Sequence, residues 1–170
     1  MKIMIISDTH DNLEKIRNII KLANQKFDLL IHCGDLCSPF TAKEFLKLKI
    51  PFIYVFGNND AEKRLIEDTL IKKGKVYDVF VDKIERYYFF VYHGTYYETI
   101  EKAINSQLFD FVIYGHTHKF EIKKLGKSLL INPGELCAYL SGKSSFCALD
   151  LDAKLAQVIS EGEVIKEVHF

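Results

Sequence analysis

The first 74 residues alternate between short apolar runs and segments of helical periodicity, and this alternation constrains the fold more than any other feature. The runs KIMIIS, FDLLIHC and PFIYVF are rich in β-branched and aromatic residues and end in polar turns, which is typical of buried strands. We therefore predict strands over 2–7, 27–33 and 51–56.

Three helices are predicted between and after these strands. Segment 11–25 carries apolar residues on one helical face, and Asp11 or Asn12 can cap its start. Further helices are predicted over 39–48 and 60–74. A β-α-β-α-β-α order predicts a parallel sheet with right-handed crossover connections.

The second half of the chain is richer in strands. Strand patterns with short connections fill most of it, and the last three predict an antiparallel meander. One helix is predicted over 95–107, and strands over 76–82, 86–93, 109–115, 120–125, 127–134, 144–152, 155–160 and 163–170. Together these elements predict an α/β fold in which two sheets pack on each other and the helices lie outside. We expect a single domain over 1–170, since a chain of this length can form one hydrophobic core.

Charge argues against a protein that binds nucleic-acid backbones. The chain has 23 Lys and Arg against 23 Asp and Glu, so the formal net charge is zero. Non-specific affinity for nucleic acid comes from a positive surface. The zero net charge therefore argues against a nucleic-acid partner, and a local basic groove is the alternative that it leaves open.

The four cysteines, Cys33, Cys37, Cys137 and Cys147, form no C-x-x-C pair, and we interpret them as reduced thiols. No apolar stretch reaches the length of a membrane span, and the N-terminus becomes polar too soon for a signal peptide. We expect a cytoplasmic protein without a membrane partner.

Residues that bind metal ions collect where predicted strands end. In open α/β sheets the ligand crevice lies at the carboxyl ends of the strands. The segments SDTHDN, HCGDL, GNND, YHGT and YGHTH each follow a predicted strand. The metal-ligand candidates that they supply are Asp8, His10, Asp35, Asn58, His93, His116 and His118.

This donor set suits Mn, Fe, Zn, Ni or Co better than calcium or a copper–thiolate site. Seven ligands exceed what one four-coordinate metal needs. With one bridging carboxylate they fit two metals about 3.5–4 Å apart, the arrangement that promotes in-line displacement at phosphorus. In an extended chain, the two histidines of HTH lie on one side and can address both metals.

Each motif has an ordinary alternative. GNND alone is more often a turn or a helix cap, and Asp8 alone could cap the next helix. Metal binding is favoured because five separate strand ends carry such residues. His32, inside an apolar strand, is expected to be a hydrogen-bonded core residue, and His169 a surface residue.

In order and spacing, DTH, GD, GNND, HG and GHTH resemble the motifs D-x-H, G-D, G-N-x-D, H-G and G-H-x-H of the calcineurin-like metallophosphoesterase superfamily. The length and the segments SDTHDN, HCGD and INPGE are most similar to compact archaeal and bacterial phosphodiesterases of the YfcE type. The resemblance covers essentially the whole chain. It implies a four-layer αββα sandwich of two mixed β-sheets flanked by helices, with two divalent metals at one edge.

The resemblance also implies residue roles. One metal would be held by Asp8, His10, Asp35 and His118, and a second by Asp35 as a bridge with Asn58, His93 and His116. A hydroxide between the metals would attack phosphorus. The expected metals are Mn²⁺ or Ni²⁺, with Fe, Zn, Co or Mg as alternatives. Asn59 and Asp60 are the candidates for a catalytic role from behind the ligands. Asn12 and Asp60 would orient ligands or the following helix, and Asn59 and Asn12 are the candidates for substrate contact.

The chain departs from the superfamily pattern at Asn59. Many enzymes of this superfamily have a histidine at this position, and there it looks like the general acid that protonates the leaving alkoxide. An amide can only hydrogen-bond a phosphate oxygen, and loss of a general acid costs about 10²–10⁴-fold in rate. Glu135 stands where many relatives carry Ser, and a carboxylate at the phosphate end would disfavour a monoester. Both departures favour diesters.

The leading hypothesis is a dinuclear metal-dependent phosphodiesterase that hydrolyses a small phosphodiester. A non-catalytic scaffold of the retromer-subunit type is an alternative, but such relatives have degraded ligand sets. A phosphomonoesterase is another. The aromatic stretches RYYFFVY and TYYE offer a face for a homodimer, although burial would explain them equally well.

Overall fold

A computed structural model describes residues 1–170. It contains four α-helices and one 3₁₀ helix: α1 (Leu13–Lys26), α2 (Pro39–Ala42), the 3₁₀ helix (Lys43–Lys47), α3 (Lys63–Leu70) and α4 (Tyr97–Asn105). The twelve strands are β1 (Lys2–Ile6), β2 (Leu29–His32), β3 (Phe52–Val55), β4 (Lys75–Tyr77), β5 (Val79–Ile84), β6 (Tyr87–Tyr92), β7 (Phe111–Ile113), β8 (Glu121–Leu125), β9 (Ser128–Asn132), β10 (Ser145–Asp150), β11 (Leu155–Ser160) and β12 (Glu163–His169).

The strands form two mixed sheets. The larger has the order β12-β11-β10-β1-β2-β3-β4, in which β1 to β4 run parallel and β10 to β12 form an antiparallel meander. The smaller has the order β5-β6-β7-β9-β8, in which β6, β7 and β9 are parallel. The parallel core and the terminal meander confirm the sequence-based expectation.

Three apolar clusters define four layers. The largest joins residues of both sheets, such as Ile5, Phe89 and Phe111, and therefore lies between them. A second joins the outer face of the larger sheet to α1, α2 and α3, and a third joins the smaller sheet to α4. Burying both faces of each parallel section explains their uninterrupted apolar sequences. The predicted αββα sandwich is confirmed.

The predicted strand over 76–82 is wrong. The chain leaves the larger sheet at Tyr77 and enters the smaller one at Val79. β4 pairs in parallel with β3, whereas β5 pairs antiparallel with β6, so a single straight strand could not serve both partners. The apolar pattern continues through the change of partner because Tyr77 and Phe80 pack on each other across the break.

Two predicted helices are shorter or less regular than expected. Segment 39–48 divides into α2 and the 3₁₀ helix, which buries Phe45 completely and stacks it on Phe52. The helix predicted over 60–74 begins only at Lys63, because Asp60 is engaged with backbone groups of a neighbouring loop.

The aromatic stretches supply both core and surface. Phe89 and Phe90 are buried, whereas Tyr88, Tyr96 and Tyr97 are exposed. The homodimer therefore stays a prediction. None of the helices combines the length and apolar character that crossing a bilayer requires.

Candidate metal centre

The five strand-end segments meet at one edge of the sandwich, as predicted. They follow β1, β2 and β3 in the larger sheet and β6 and β7 in the smaller one. Hydrogen bonds join the sheets here. The backbone N–H of His116 donates to Asp8 Oδ2 at 3.0 Å, and His93 Nδ1 lies 2.6 Å from the carbonyl oxygen of Cys33.

Asp8, His10 and His118 form the first cluster of metal-type donors. Asp8 Oδ1 lies 3.8 Å from His10 Nε2 and 3.5 Å from His118 Nε2, and the two imidazole rings stack with centroids 5.1 Å apart. Asp8 Oδ1 and His10 Nε2 are buried without any hydrogen-bond partner. Leaving such atoms unpaired costs about 1–3 kcal/mol each, so their convergence fits a metal ion.

Asp35, His93 and His116 form the second cluster. Asp35 Oδ2 lies 3.3 Å from His93 Nε2 and also 3.6 Å from His10 Nε2, so this carboxylate reaches both clusters. Asn58 Oδ1 lies 3.1 Å from His93 Nε2. The structure therefore brings together all seven residues that the strand-end pattern singled out, in two groups with Asp35 between them.

The backbone is strained at most of these residues. Left-handed φ angles occur at Asp8 (52°), His10 (38°), Asp35 (59°), His116 (65°) and His118 (60°). Such conformations cost energy in residues other than glycine and cluster at functional sites. The surrounding hydrogen bonds hold them, since Asp8 N–H donates to the carbonyl of Gly34 and His10 N–H donates to that of Asp35.

Two glycines make room for the site. A Cβ on Gly34, whose φ is 97°, would lie 2.6 Å from His93 Nδ1. A Cβ on Gly115 would lie 2.9 Å from Asp8 Oδ2 and would also collide with the Ser7 side chain. Any larger residue at either position would displace a carboxylate or imidazole of the centre.

Three imidazoles are oriented from behind through Nδ1. The Cys33 carbonyl contacts His93 Nδ1, the Cys37 thiol lies 3.3 Å from His10 Nδ1, and Glu135 Oε2 lies 2.7 Å from His118 Nδ1. Contacts of this kind fix the tautomer and the ring orientation of metal-binding histidines. They leave each Nε2 free to face the carboxylates.

Asp60 organises the loop that carries Asp35. Its carboxylate accepts hydrogen bonds from the backbone N–H groups of 35, 36, 37 and 57, and from the hydroxyl of Tyr54. It lies behind the centre and is buried. The orienting role that the resemblance implies for Asp60 stays a prediction.

The two asparagines with expected substrate contacts already have protein partners. Asn12 accepts from Lys15 N–H, which caps α1, and donates to the carbonyl of Cys137. Asn59 donates from both its backbone N–H and its side-chain amide to the Asp35 carboxylate, each at 2.8 Å. Substrate contact stays a prediction for both residues.

Glu135 differs from the sequence-based interpretation. Its side chain is fully buried and faces His118, the Ser141 hydroxyl and the backbone N–H groups of Leu140 and Ser141. Both oxygens are occupied, so Glu135 does not line the phosphate end of an open crevice. The argument from Glu135 against monoesters was therefore wrong, because the chain wraps donors around a carboxylate that the sequence alone left without partners.

The field at the centre is negative. Interaction with the Asp8 carboxylate and then with Cys37 raises the pKa of His10 to about 10. Burial alone would raise the pKa of Asp35, but contacts with His93 and Asn59 lower it well below its usual range. The shift of His10 and that of Asp35 both show that the carboxylates here stabilise a neighbouring positive charge, which a divalent cation would also supply.

The two remaining histidines lie where the sequence placed them. His32 is completely buried, its ring lies 3.1 Å from the Thr9 hydroxyl, and its Nδ1 accepts from Gly34 N–H. Burial lowers the pKa of His32 to about 3, so this core imidazole is neutral. His169 is exposed.

Sequence reasoning missed the groups that support the centre from behind. Cys33 lies within the strand-end segment HCGDL and Cys37 directly follows it, and this proximity was the only available signal. Tyr54 sits in an apolar strand, so nothing in its sequence context indicated that its hydroxyl donates to Asp60.

Comparison with known proteins gives a consistent result. The profile of the calcineurin-like phosphoesterase superfamily domain matches residues 1–154. Phosphodiesterase MJ0936 of Methanocaldococcus jannaschii is 42% identical over 158 residues, covering 91% of this chain and 95% of that protein.

Solved structures extend the comparison. A structure described as a novel archaeal phosphodiesterase superposes with a TM-score of 0.90 at 40% identity, over 94% of this chain and 99% of that one. The Escherichia coli phosphoesterase YfcE has a TM-score of 0.74 at 21% identity, over 99% of both chains. Zinc-bound Vps29 of Entamoeba histolytica has a TM-score of 0.73 at 21% identity, over 99% of this chain and 98% of that one. At 21% identity the last two show the shared fold alone.

Proposed function

Since the chain belongs to the calcineurin-like phosphoesterase superfamily and is a metal-dependent phosphodiesterase, we propose that two divalent metal ions take part in its reaction. We propose a small phosphodiester as the substrate. The observation that carries the two-metal proposal is the position of Asp35. Its carboxylate lies between two groups of imidazoles, beside two buried polar atoms that have no partner in the protein.

We assign one metal to Asp8, His10, Asp35 and His118, and the other to Asp35, Asn58, His93 and His116. Mn²⁺ or Ni²⁺ suits this mixture of imidazole and oxygen donors, and Fe, Zn, Co and Mg are alternatives. Bound at this site, the metals would lower the pKa of a water molecule and neutralise charge on the phosphoryl oxygens.

The protein's own contribution is to hold these donors in place. Asp60 fixes the Asp35 loop through three backbone N–H groups and the loop after β3 through the N–H of Gly57, and Glu135 holds the ring of His118. Preorganised ligands avoid reorganisation during the reaction, which is the main protein contribution to electrostatic catalysis. Strained backbone at five of the seven residues is consistent with this role.

Asn59 determines which leaving groups depart easily. Its amide is bonded to Asp35 and holds no transferable proton. Leaving groups that are stable as anions, such as nitrophenolates, should therefore depart readily. Alkyl alcohols should depart slowly unless solvent protonates them.

The compartment and the partners belong to the same proposal. All four cysteines are free thiols, which supports a reducing compartment such as the cytoplasm. A small phosphodiester is the proposed partner. Long nucleic acids are not among the proposed partners, because the formal net charge of the chain is zero.

Hydrolysis of bis-p-nitrophenyl phosphate, compared with p-nitrophenyl phosphate, tests the function. Metal-stripped protein should be inactive, and Mn²⁺ or Ni²⁺ should restore turnover of the diester in preference to the monoester. Asn58→Ala should reduce the restored activity strongly because it removes a ligand of one metal. A better rate on the monoester would replace the diesterase proposal with a phosphomonoesterase.

The competing function is a non-catalytic scaffold, since Vps29 structures share this fold. The complete set of seven donor residues argues against it. If metal binds but neither ester is cleaved under any metal, the scaffold replaces the enzyme.

A further inference from the structure

A groove begins beside His118 and runs away from the metal centre. Its volume is about 520 Å³, and its lining includes His118, Lys119, Phe120, Lys143, Glu163 and Ile165. This size lies within the range of small-molecule sites, about 300–1,000 Å³. His118 is thus both a proposed metal ligand and one wall of the groove, so a phosphate held at the proposed metals would lie near the mouth of the groove.

We propose that this groove binds one ester arm of the phosphodiester, and that this arm is a nucleoside or nucleotide whose base lies on Phe120. The inference rests on the proposed function, because only a phosphate at the metal centre places an arm here. It goes further by naming the chemical class of that arm, which the metal ligands do not determine.

Phe120 is the aromatic surface of the groove. Its side chain is 44% exposed although it belongs to a firmly seated segment. A Cβ added to Gly134 would lie 3.3 Å from Phe120 N and 3.4 Å from Phe120 Cβ, so Phe120 rests directly on the Gly134 backbone. The next residue, Glu135, binds His118. One loop therefore contacts both the base of the Phe120 side chain and the proposed metal ligand, which sets the distance between Phe120 Cβ and His118.

The charged residues of the groove favour an arm with an anionic group. No carboxylate lies within 4 Å of the ammonium groups of Lys119 and Lys143. Glu161 is paired with Lys15 at 3.6 Å, which leaves Glu163 as the unpaired carboxylate of the lining. Counting Lys15, three lysines face the two carboxylates Glu161 and Glu163, and this leaves one positive charge that a phosphate on the nucleoside would neutralise.

The serine hydroxyls of the lining contribute little recognition. Ser145 donates to the carbonyl of Pro133, Ser160 to that of Ser144, and Ser141 to Glu135. Their protons are already used within the protein. Binding therefore depends on the aromatic face and the lysines, which recognise a planar ring beside negative charge.

The test compares two diesters that release the same p-nitrophenolate: the p-nitrophenyl ester of thymidine 5′-phosphate and methyl p-nitrophenyl phosphate. We expect the thymidine ester to have a kcat/KM on the order of 10-fold higher, mostly through a lower KM, because one base stacks on one aromatic ring. Phe120→Ala should remove this advantage and leave the methyl ester unchanged.

Tyr88→Ala is the matched control, since Tyr88 is also 44% exposed but lies near the start of β6, at the opposite end from the metal centre. It should alter neither ester. Lys143→Ala should lower kcat/KM only when the thymidine ester carries an additional 3′-phosphate. Melting temperatures of the variants show that each remains folded.

The outcomes separate this inference from the proposed function. If neither ester is cleaved, the proposed function fails. If the methyl ester is cleaved and the thymidine ester shows no advantage, only the groove assignment fails. An equal rise in KM for both esters in Phe120→Ala would mean that the ring stacks on the shared nitrophenyl group, which contradicts the nucleoside assignment.

Discussion

Glu135→Gln should destabilise the metal-free protein in a pH-dependent way and weaken metal binding at His118. Glu135 is completely buried, and its two oxygens accept hydrogen bonds from side-chain and backbone donors of His118, Leu140 and Ser141. Glutamine keeps the shape but loses the negative charge and one acceptor. It tests whether this carboxylate supports the centre or only fills space.

The magnitude follows from the pKa of Glu135. Burial alone would raise this pKa, but hydrogen bonds from His118, Ser141 and Cys137 lower it from the ordinary 4.5 to about 2. A folded-state pKa below the unfolded value means that the carboxylate stabilises the folded protein above about pH 4.5. The stabilisation is lost as the pH falls through about 2. The difference corresponds to about 3 kcal/mol at neutral pH.

The assay is urea unfolding of metal-free wild type, Glu135→Gln and the exposed control Glu163→Gln at pH 7 and pH 3. The difference between wild type and Glu135→Gln should be about 3 kcal/mol at pH 7 and clearly smaller at pH 3. The control should follow the wild type at both values. Calorimetric titration with Mn²⁺ should show affinity about 10–100-fold weaker in Glu135→Gln, at one of two sites.

Two results would refute the reasoning. A difference in unfolding free energy that does not change with pH would show that Glu135 acts through packing and not through its charge. Unchanged Mn²⁺ affinity at both sites would show that its contact with His118 does not support a metal ligand.

Three further predictions concern the centre. Asp60→Asn should lower the free energy of unfolding by about 3 kcal/mol, because a charged acceptor of five donors is lost; a loss below about 1 kcal/mol in urea unfolding would contradict this. Mn²⁺ at 100 times its dissociation constant should raise the stability of the stripped protein by about 2.7 kcal/mol per site, visible as a higher melting temperature that His93→Ala reduces; an unchanged melting temperature would exclude binding to the folded centre. Asn59→His should raise turnover of dimethyl phosphate by up to about 10²-fold with little effect on bis-p-nitrophenyl phosphate, and equal changes for both esters would show that position 59 supplies no proton.

The convergence of the seven donor residues could be predicted from the sequence because its signals are local, whereas their binding of metal stays a prediction. Asp8, Asp35 and Asn58 each follow an apolar run, and parallel strands bring their carboxyl ends to one edge. Once the alternation of strands and helices is recognised, the convergence of these residues follows from topology. The pairing of Asp35 with both clusters was available only from resemblance, because sequence spacing does not give the distance between two loops.

The features that sequence reasoning missed depend on long-range contacts. The break between β4 and β5 is a change of sheet within a continuous apolar pattern. Glu135 was interpreted as facing a phosphate because its partner His118 lies 17 residues away. Likewise, the five donors to Asp60 come from separate turns and a strand, so local propensity could not predict that this residue would delay the start of α3.

The most direct test of the two-metal account is a titration of metal-free protein with Mn²⁺ that records bis-p-nitrophenyl phosphate hydrolysis at each step. The protein concentration is kept well above the dissociation constants, so that equivalents are counted. Activity should stay low up to the first equivalent and reach its maximum at two equivalents per chain. Full activity at one equivalent, or activity that does not depend on added metal, would contradict the account.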